Sequence, residues 1–475
     1  MPMYTSLVRH SGNRELFLFL ELAILSQSRG HPLHIHVEGL RGTGKTTIIR
    51  AARQILPPIK RIRGCLYNCD PERPHCPEHR HLSREAIASL GIEEIPMPFL
   101  EISASAKIGT VVGTIDLARI TNPARPEAAL LPGTIPQAHR GIVFVDEINR
   151  LADTSPELAD VLLDVMGTKP GRLQIEESGL PRVELPVQVS VWAASNPDED
   201  PGSLEDIRRQ LSDRFDFLVA MGRPAEPQAV AAVLAWDRGR EEDYTARDRK
   251  VQEELQQMAA LLPQVEVAEG IRELVASLYT KFNLESLRAV EALLYGGKVY
   301  IAREGRRYLG EVKELLPVAA AALRHRVEPG RLAEILQHLR TLSEERERQV
   351  AATLPVPGER TREGAGLIRG SKGARPGIWQ QAREFLSRLM EKFFPHRLGC
   401  NRKGRPGRGG GSGGGNRPGS QSEQEEGNSM NKPQISDPSN TPILAPPRRA
   451  RPLFELAAED LIIPAAEGEK NATEG

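Results

Sequence analysis

The chain has 475 residues, more than one compact core holds, which calls for two or three units. Hydrophobic residues make up 39% and aromatics only 4%, favouring aliphatic α/β packing over a β-sandwich. Lys+Arg and Asp+Glu both number 63, so no net field draws the chain to nucleic acid or an anionic membrane.

Residues 14–28 read as a helix with Asn13 as its cap. Its most apolar stretch, Leu16 to Leu25, is too short to span a bilayer and contains Glu21. No secretory leader is legible, and the four cysteines (Cys65, Cys69, Cys76, Cys400) are too few for a disulfide framework. A cytoplasmic protein with reduced thiols is the expectation. A short strand at 34–38 runs into a glycine-rich loop and then a helix at 46–56. Residues 57–98 read as an inserted loop region with one short helix near 83–90. Further strands are expected at 99–103 and 141–147, a helix at 155–166, a hairpin at 171–189, and a strand ending at Ala194. From there the pattern reads as helical to about residue 353. Residues 378–394 form one amphipathic helix by the spacing of their apolar side chains. Residues 400–447, with GGGSGGG at 409–415, read as a tether, and 453–463 as a short apolar docking segment.

The glycine loop fits G-x-x-x-x-G-K-T from Gly39 through Leu40, Arg41, Gly42, Thr43, Gly44 and Lys45 to Thr46, with Thr47 following. Such a loop curls backbone N–H groups around phosphate oxygens, and its lysine reaches the β and γ phosphates. Its threonine offers a hydroxyl to Mg²⁺. The following helix points its positive end at the same phosphates. Ile142–Glu147 (IVFVDE) then reads as a strand buried on both faces and ending in two acids, where open α/β sheets bind ligands. Asp146 suits the orientation of Mg²⁺ and its waters, and Glu147 the polarisation of an attacking water. Asn196, ending the stretch VWAASN, suits holding that water or the γ-phosphate; taken alone, an Asn-Pro turn is the simpler reading. Arg214 in LSDRF suits a finger presented to a neighbouring subunit, and Arg288 in SLRA a lid contact to nucleotide; each by itself also fits a solvated charge.

Taken in order, these motifs follow the AAA+ programme, and the text resembles the I-type ATPase subunit of magnesium chelatase. The resemblance rests on GLRGTGKTT (39–47), VGTIDLARI (112–120), PGTIPQAHRGIVFVDEINRL (132–151), LADVLLDVM (158–166), AASNPDE (193–199), LSDRFDF (211–217), SLRAVEALLYGGKVYIAREGR (286–306) and LRHRV (323–327). It covers about residues 1–345. It implies an α/β P-loop AAA+ core, a parallel sheet flanked by helices, over 1–222. An all-α lid follows over 223–353, a linker over 354–399 and a disordered tail over 400–475. It also implies ATP and Mg²⁺ as ligands and the roles just described for Lys45, Thr46, Asp146, Glu147 and Asn196. Arg214 becomes a trans-acting finger and Arg288 the lid sensor. A hexameric ring working with a von Willebrand A-domain partner follows from the same resemblance, as does a third subunit that inserts the metal. The long tail resembles the linker of that partner subunit, although no D-x-S-x-S text is present. The competing reading is a MoxR-like chaperone that matures an unrelated protein. A DNA-acting motor is weakest: the chain shows no basic stripe, helix-turn-helix or GAFTGA-like loop.

One further cluster has metal-ligand character. Cys65-x3-Cys69-x6-Cys76-x2-His79 offers three thiolates and an imidazole suited to tetrahedral Zn²⁺, with His75 and His81 as alternative nitrogen donors. Reduced thiols in a solvent loop are the other reading.

Overall fold

The computed structural model describes residues 2–353 apart from 116–129, 176–181, 200 and 236–240. The described residues fall within one compact unit. The expected linker, amphipathic helix 378–394, docking segment 453–463 and tail lie outside them. So does Cys400.

A five-stranded parallel sheet forms the centre. Its strands are β1 (Ile35–Gly39), β2 (Phe99–Ile102), β3 (Ile142–Asp146), β4 (Ser190–Ser195) and β5 (Phe217–Met221), in the order β5-β1-β4-β3-β2. The strands are apolar on both faces because both are covered. Alternate side chains divide between two cores, as the two-residue repeat of a strand requires. Ile142, Phe144, Trp192 and Ala194 face one core, and Val143, Val145, Val191 and Ala193 face the other. The expected parallel sheet flanked by helices is therefore present. Among the described residues no helix is long and apolar enough to cross a membrane.

β5 corrects the expectation of unbroken helix after residue 195. Its FLVAM text is a short continuous apolar run, a buried edge strand pairing with β1 from Ile35↔Phe217 to Gly39↔Met221. A second correction falls on 57–98. That stretch contains an antiparallel pair, Pro58–Ile62 with Ile92–Pro96, besides the expected helix at Arg84–Leu90. Proline at both outer ends and alternating charges hid the pairing. The hairpin expected at 171–189 forms from Gly171–Ile175 and Val183–Val187.

The helix Arg14–Gln27 is buried over most of its surface. Phe19 packs on Phe217 of β5 with ring centroids 4.6 Å apart. Asn13 does not cap it with its side chain. Its Oδ1 accepts from the His10 N–H at 2.8 Å and its Nδ2 donates to the Val8 carbonyl at 2.9 Å, so it fastens the preceding turn. Glu21, the charge inside this apolar helix, accepts from Arg303 Nη2 at 2.7 Å and Arg9 Nη2 at 3.0 Å. A buried carboxylate needs such partners. Arg303 ends the long helix Leu287–Arg303, so the pair ties the N-terminal helix to the helical segment.

That helical segment runs from Glu241 to Thr353, and its apolar side chains join the same core as one face of the sheet. Close approach depends on two adjacent glycines. A Cβ on Gly296 would lie 2.7 Å from Phe217 Cζ, and one on Gly297 2.7 Å from Leu315 Cδ2. Gly296→Val should therefore cost about 1–3 kcal/mol through overpacking. Gly270→Ala, with nothing within 4 Å of the added carbon, should cost nothing. Urea-denaturation midpoints compare the two, and equal midpoints would contradict the packing argument.

Candidate active site

The glycine loop leaves β1 and enters the helix Lys45–Ala51. Gly42 and Gly44 have φ of +77° and +90°, and neither would have an atom within 4 Å of an added Cβ. The left-handed conformation requires glycine, and the open space beside both residues is the cradle a phosphate chain needs. Lys45 reaches back, its Nζ donating to the carbonyls of Gly39 and, at 2.9 Å, Leu40. Burial lowers its pKa, opposed by the charges of Asp146 and Glu199. A buried ammonium held only by carbonyl oxygens is ready to exchange them for phosphate oxygens.

Register fixes the next residues. β1, β4 and β3 pair so that Val37, Ala194 and Asp146 lie level, which brings their carboxyl ends to one edge. A cavity of about 330 Å³ opens there, lined by Lys45, Thr46, Asp146, Glu147, Asn196 and Glu199 among others. Thr46 Oγ1 donates to Asp146 Oδ1 at 3.3 Å. That spacing is close to the edge of about 3 Å between neighbouring oxygens around Mg²⁺, whose ligands sit at about 2.1 Å. The oxygen pair thus fits a Mg²⁺ ion. Burial raises the Asp146 pKa, while the Thr46 hydroxyl and Arg50 pull it down.

Glu147 has φ +54° and ψ +50°, a left-handed backbone that a non-glycine residue adopts at a local cost. This turn aims it at the cavity. Its carboxylate pairs with Arg150 Nη1 at 2.8 Å. Asn196 lines the same cavity, its Oδ1 accepting from the Asp198 N–H at 3.4 Å. Sequence reasoning missed Arg50, which grips Glu101 at 2.8 Å and approaches Asp146 at 3.8 Å, and Glu199, which pairs with Arg41 at 2.6 Å. Charged residues flanking a motif carry no pattern that marks them in advance.

The two candidate arginines do not line this cavity. They meet each other elsewhere. Arg214 Nη1 and Arg288 Nη2 both donate to the Gly167 carbonyl, each at 3.1 Å. Both line a second, larger cavity of about 1210 Å³. Asp213 organises the group: it accepts from Arg326 Nε at 3.0 Å and from Ser286 Oγ at 3.2 Å, and lies 3.8 Å from Arg288 Nε. Burial, then the charge of Arg288, lowers the Arg214 pKa. Two guanidiniums on one carbonyl leave most of their donors for an anion.

No protein-family model matches the sequence. The magnesium-chelatase 38 kDa subunit of Acidiphilium rubrum is 33% identical over 334 residues, covering 68% of this chain and 91% of that protein. The subunit of the same description from Cereibacter sphaeroides is 32% identical, covering 67% and 90%. This chain belongs to the magnesium-chelatase 38 kDa subunit family. A solved structure described as the complex between subunits BchI and BchD of magnesium chelatase is 25% identical, covering 71% of this chain and all of that one, with TM-score 0.38. As a magnesium-chelatase 38 kDa subunit relative, the chain carries an AAA+ ATPase core whose acid pair and P-loop lie on one sheet edge.

In this family member the residue before the P-loop is itself perturbed. Burial, reinforced by Glu205, pushes Glu38 up to about 7. The folded pKa lies above the unfolded one, so folding favours the protonated form. That contribution is fully present below the ordinary carboxylate value of 4.5 and is lost as pH rises through about 7. Glu38→Gln should raise Tm at pH 8 and leave it nearly unchanged at pH 4. Thermal melts at the two pH values test this, and a pH-independent difference would contradict it.

Proposed function

We propose that this chain is an ATP-hydrolysing motor, the counterpart of the magnesium-chelatase I subunit, and that it works in the cytoplasm as a ring of six. The observation that carries the reading is the separation of Arg214 and Arg288 from the cavity holding Lys45, Thr46, Asp146, Glu147 and Asn196. One chain supplies the phosphate cradle, the metal-binding oxygens and the base. The cation that stabilises transition-state charge comes from a neighbour. Arg288 accordingly acts in trans beside Arg214.

ATP binds with its phosphates on the Gly42–Thr46 N–H groups, and Lys45 trades its carbonyl contacts for the β and γ oxygens. Thr46 and Asp146 hold Mg²⁺, which when bound neutralises the developing phosphate charge. Glu147 leaves Arg150 and accepts the proton of the attacking water, and the Asn196 amide orients that water. Arg214 and Arg288 of the adjacent subunit meet the γ-phosphate. The work is done on a von Willebrand A-domain partner within a metal-inserting complex.

Lys45→Ala should abolish ATP turnover and weaken nucleotide binding. Glu147→Gln should keep ATP affinity and lower kcat by about 10²-fold or more. Normal turnover in Glu147→Gln would remove the base assignment. Arg214→Ala should lower kcat by about 10³-fold. Mixing Arg214→Ala with Glu147→Gln subunits should restore part of the activity, because some interfaces then combine an intact base with an intact finger. No recovery on mixing, or a strict monomer by light scattering with ATP and Mg²⁺, would contradict action in trans. Pull-down of the Glu147→Gln chain with ATP, followed by mass spectrometry, identifies the client. A bound protein unrelated to metal insertion would replace the chelatase reading with the chaperone one.

A further inference from the structure

Between the paired strands Pro58–Ile62 and Ile92–Pro96 the chain folds into a small lobe that the nucleotide chemistry does not use. Cys65, Cys69 and Cys76 are at most 1% exposed, and His79 is 8% exposed. One ligand atom from each of the four lies within 4.8 Å of all the others. We propose that these four residues hold one structural Zn²⁺ ion.

The geometry is close to what the ion requires. With Zn–S of about 2.3 Å and Zn–N of about 2.0 Å, a tetrahedron has edges of about 3.5–3.8 Å, so closure takes small side-chain movements. Two local turns present the ligands: the Asn68 N–H donates to the Cys65 carbonyl at 3.2 Å, and the His79 N–H to the Cys76 carbonyl at 3.1 Å. Asn68 adopts φ +51° to make the first of them. Backbone N–H groups of His75 and Cys76 each point at Cys69 Sγ from 3.4 Å, the outer contact that steadies a metal thiolate. Three thiolates and a neutral imidazole around Zn²⁺ carry net charge −1. Arg61 stands beside them, donating to the Cys65 carbonyl at 3.2 Å.

The nitrogen ligand left open by the sequence is settled by placement. His79 Nδ1 is 3.1 Å from Cys76 Sγ. His75 instead stacks on His139 with centroids 3.8 Å apart, and its Nδ1 lies 3.3 Å from Cys69 Sγ as an outer neighbour. The exposed His81 accepts from Arg80 Nε at 3.0 Å. Soft sulfur donors in a tetrahedral set select zinc over Mg²⁺. All four positions are filled by protein, which leaves none for water, so the ion is structural.

The lobe docks on the turn that leads into β3. Tyr67 donates to the Leu130 carbonyl at 3.3 Å, Asn68 Nδ2 to the Gln137 carbonyl at 2.6 Å, and the His75–His139 stack lies alongside. The ion therefore fastens the 58–96 insertion to the approach of the strand that carries Asp146 and Glu147.

The full chain, made in zinc-supplemented medium and purified without chelator, should contain about one zinc per chain by elemental analysis. Cobalt substitution should give the visible bands of a tetrahedral cobalt thiolate. Cys76→Ala and His79→Ala should lose the metal, whereas His75→Ala should keep it. His79→Cys should retain zinc, which separates loss of a ligand from loss of the fold. Zinc at about a tenth per chain or less, or metal retained in His79→Ala and lost from His75→Ala, would overturn the assignment. The readout is metal content, so its failure would leave the ATPase reading untouched.

Discussion

The parallel register of β1, β4 and β3 is the constraint on which the rest of the site depends. Val37, Ala194 and Asp146 lie level across three strands, so the chain emerges from each at the same height. The P-loop, the acid pair and Asn196 are far apart in sequence and meet because hydrogen-bonded neighbours cannot slide. A shift of one residue would turn Asp146 into a core and send Phe144 or Val145 to the wrong face. Because both faces are buried in separate apolar cores, that shift is strongly opposed. The site is precise because the sheet beneath it is greasy on both sides.

The second organising feature is a division of labour by charge. The edge of the sheet gathers carboxylates, arginines paired with them and one buried lysine, while the Gly167 region gathers Arg214 and Arg288 on one carbonyl. Asp213 holds the second group together by accepting from Arg326 and Ser286, both in the helical segment. Arg326 is itself nearly buried and also donates to the Phe215 carbonyl at 2.7 Å. The helical segment therefore fixes the residues flanking Arg214 as well as supplying Arg288. A change in the packing of that segment would move both arginines at once. Gly296 and Gly297 matter here because they let Leu287–Arg303 press against β5 and Leu315.

The N-terminal helix links these parts. It packs on β5 through Phe19 and grips Arg303 through Glu21. An apolar helix with one buried acid answers a packing need here: the acid grips Arg303 at the end of the long helix, while Ser26 Oγ meets the Tyr295 hydroxyl of that same helix at 2.9 Å. Asp248 adds a second tether, accepting from the N–H groups of Tyr4 and Thr5 at 2.9 and 2.8 Å.

Much of this was written in the sequence. The P-loop spacing, the acid-ended apolar strand and the hairpin at 171–189 depend on local patterns, because glycine freedom, strand burial and turn chemistry act over a few residues. The cysteine spacing likewise offered a candidate metal-ligand set, but left three histidines in competition. What required the tertiary structure was every choice between equivalent side chains. Arg214 and Arg288 each fit a solvated charge as well as a nucleotide contact, and only the fold brings both to one carbonyl and away from the P-loop. β5 and the strands at 58–62 and 92–96 escaped notice because β5 pairs with a strand about 180 residues away and the other two are flanked by proline and carry alternating charges. His75 stacks on His139, a residue some 60 positions further along the chain, and His79 lies closer to Cys76. Local chemistry names the candidates, and long-range packing decides which of them meet, because contact between remote segments is set by shared burial and leaves no period in the text.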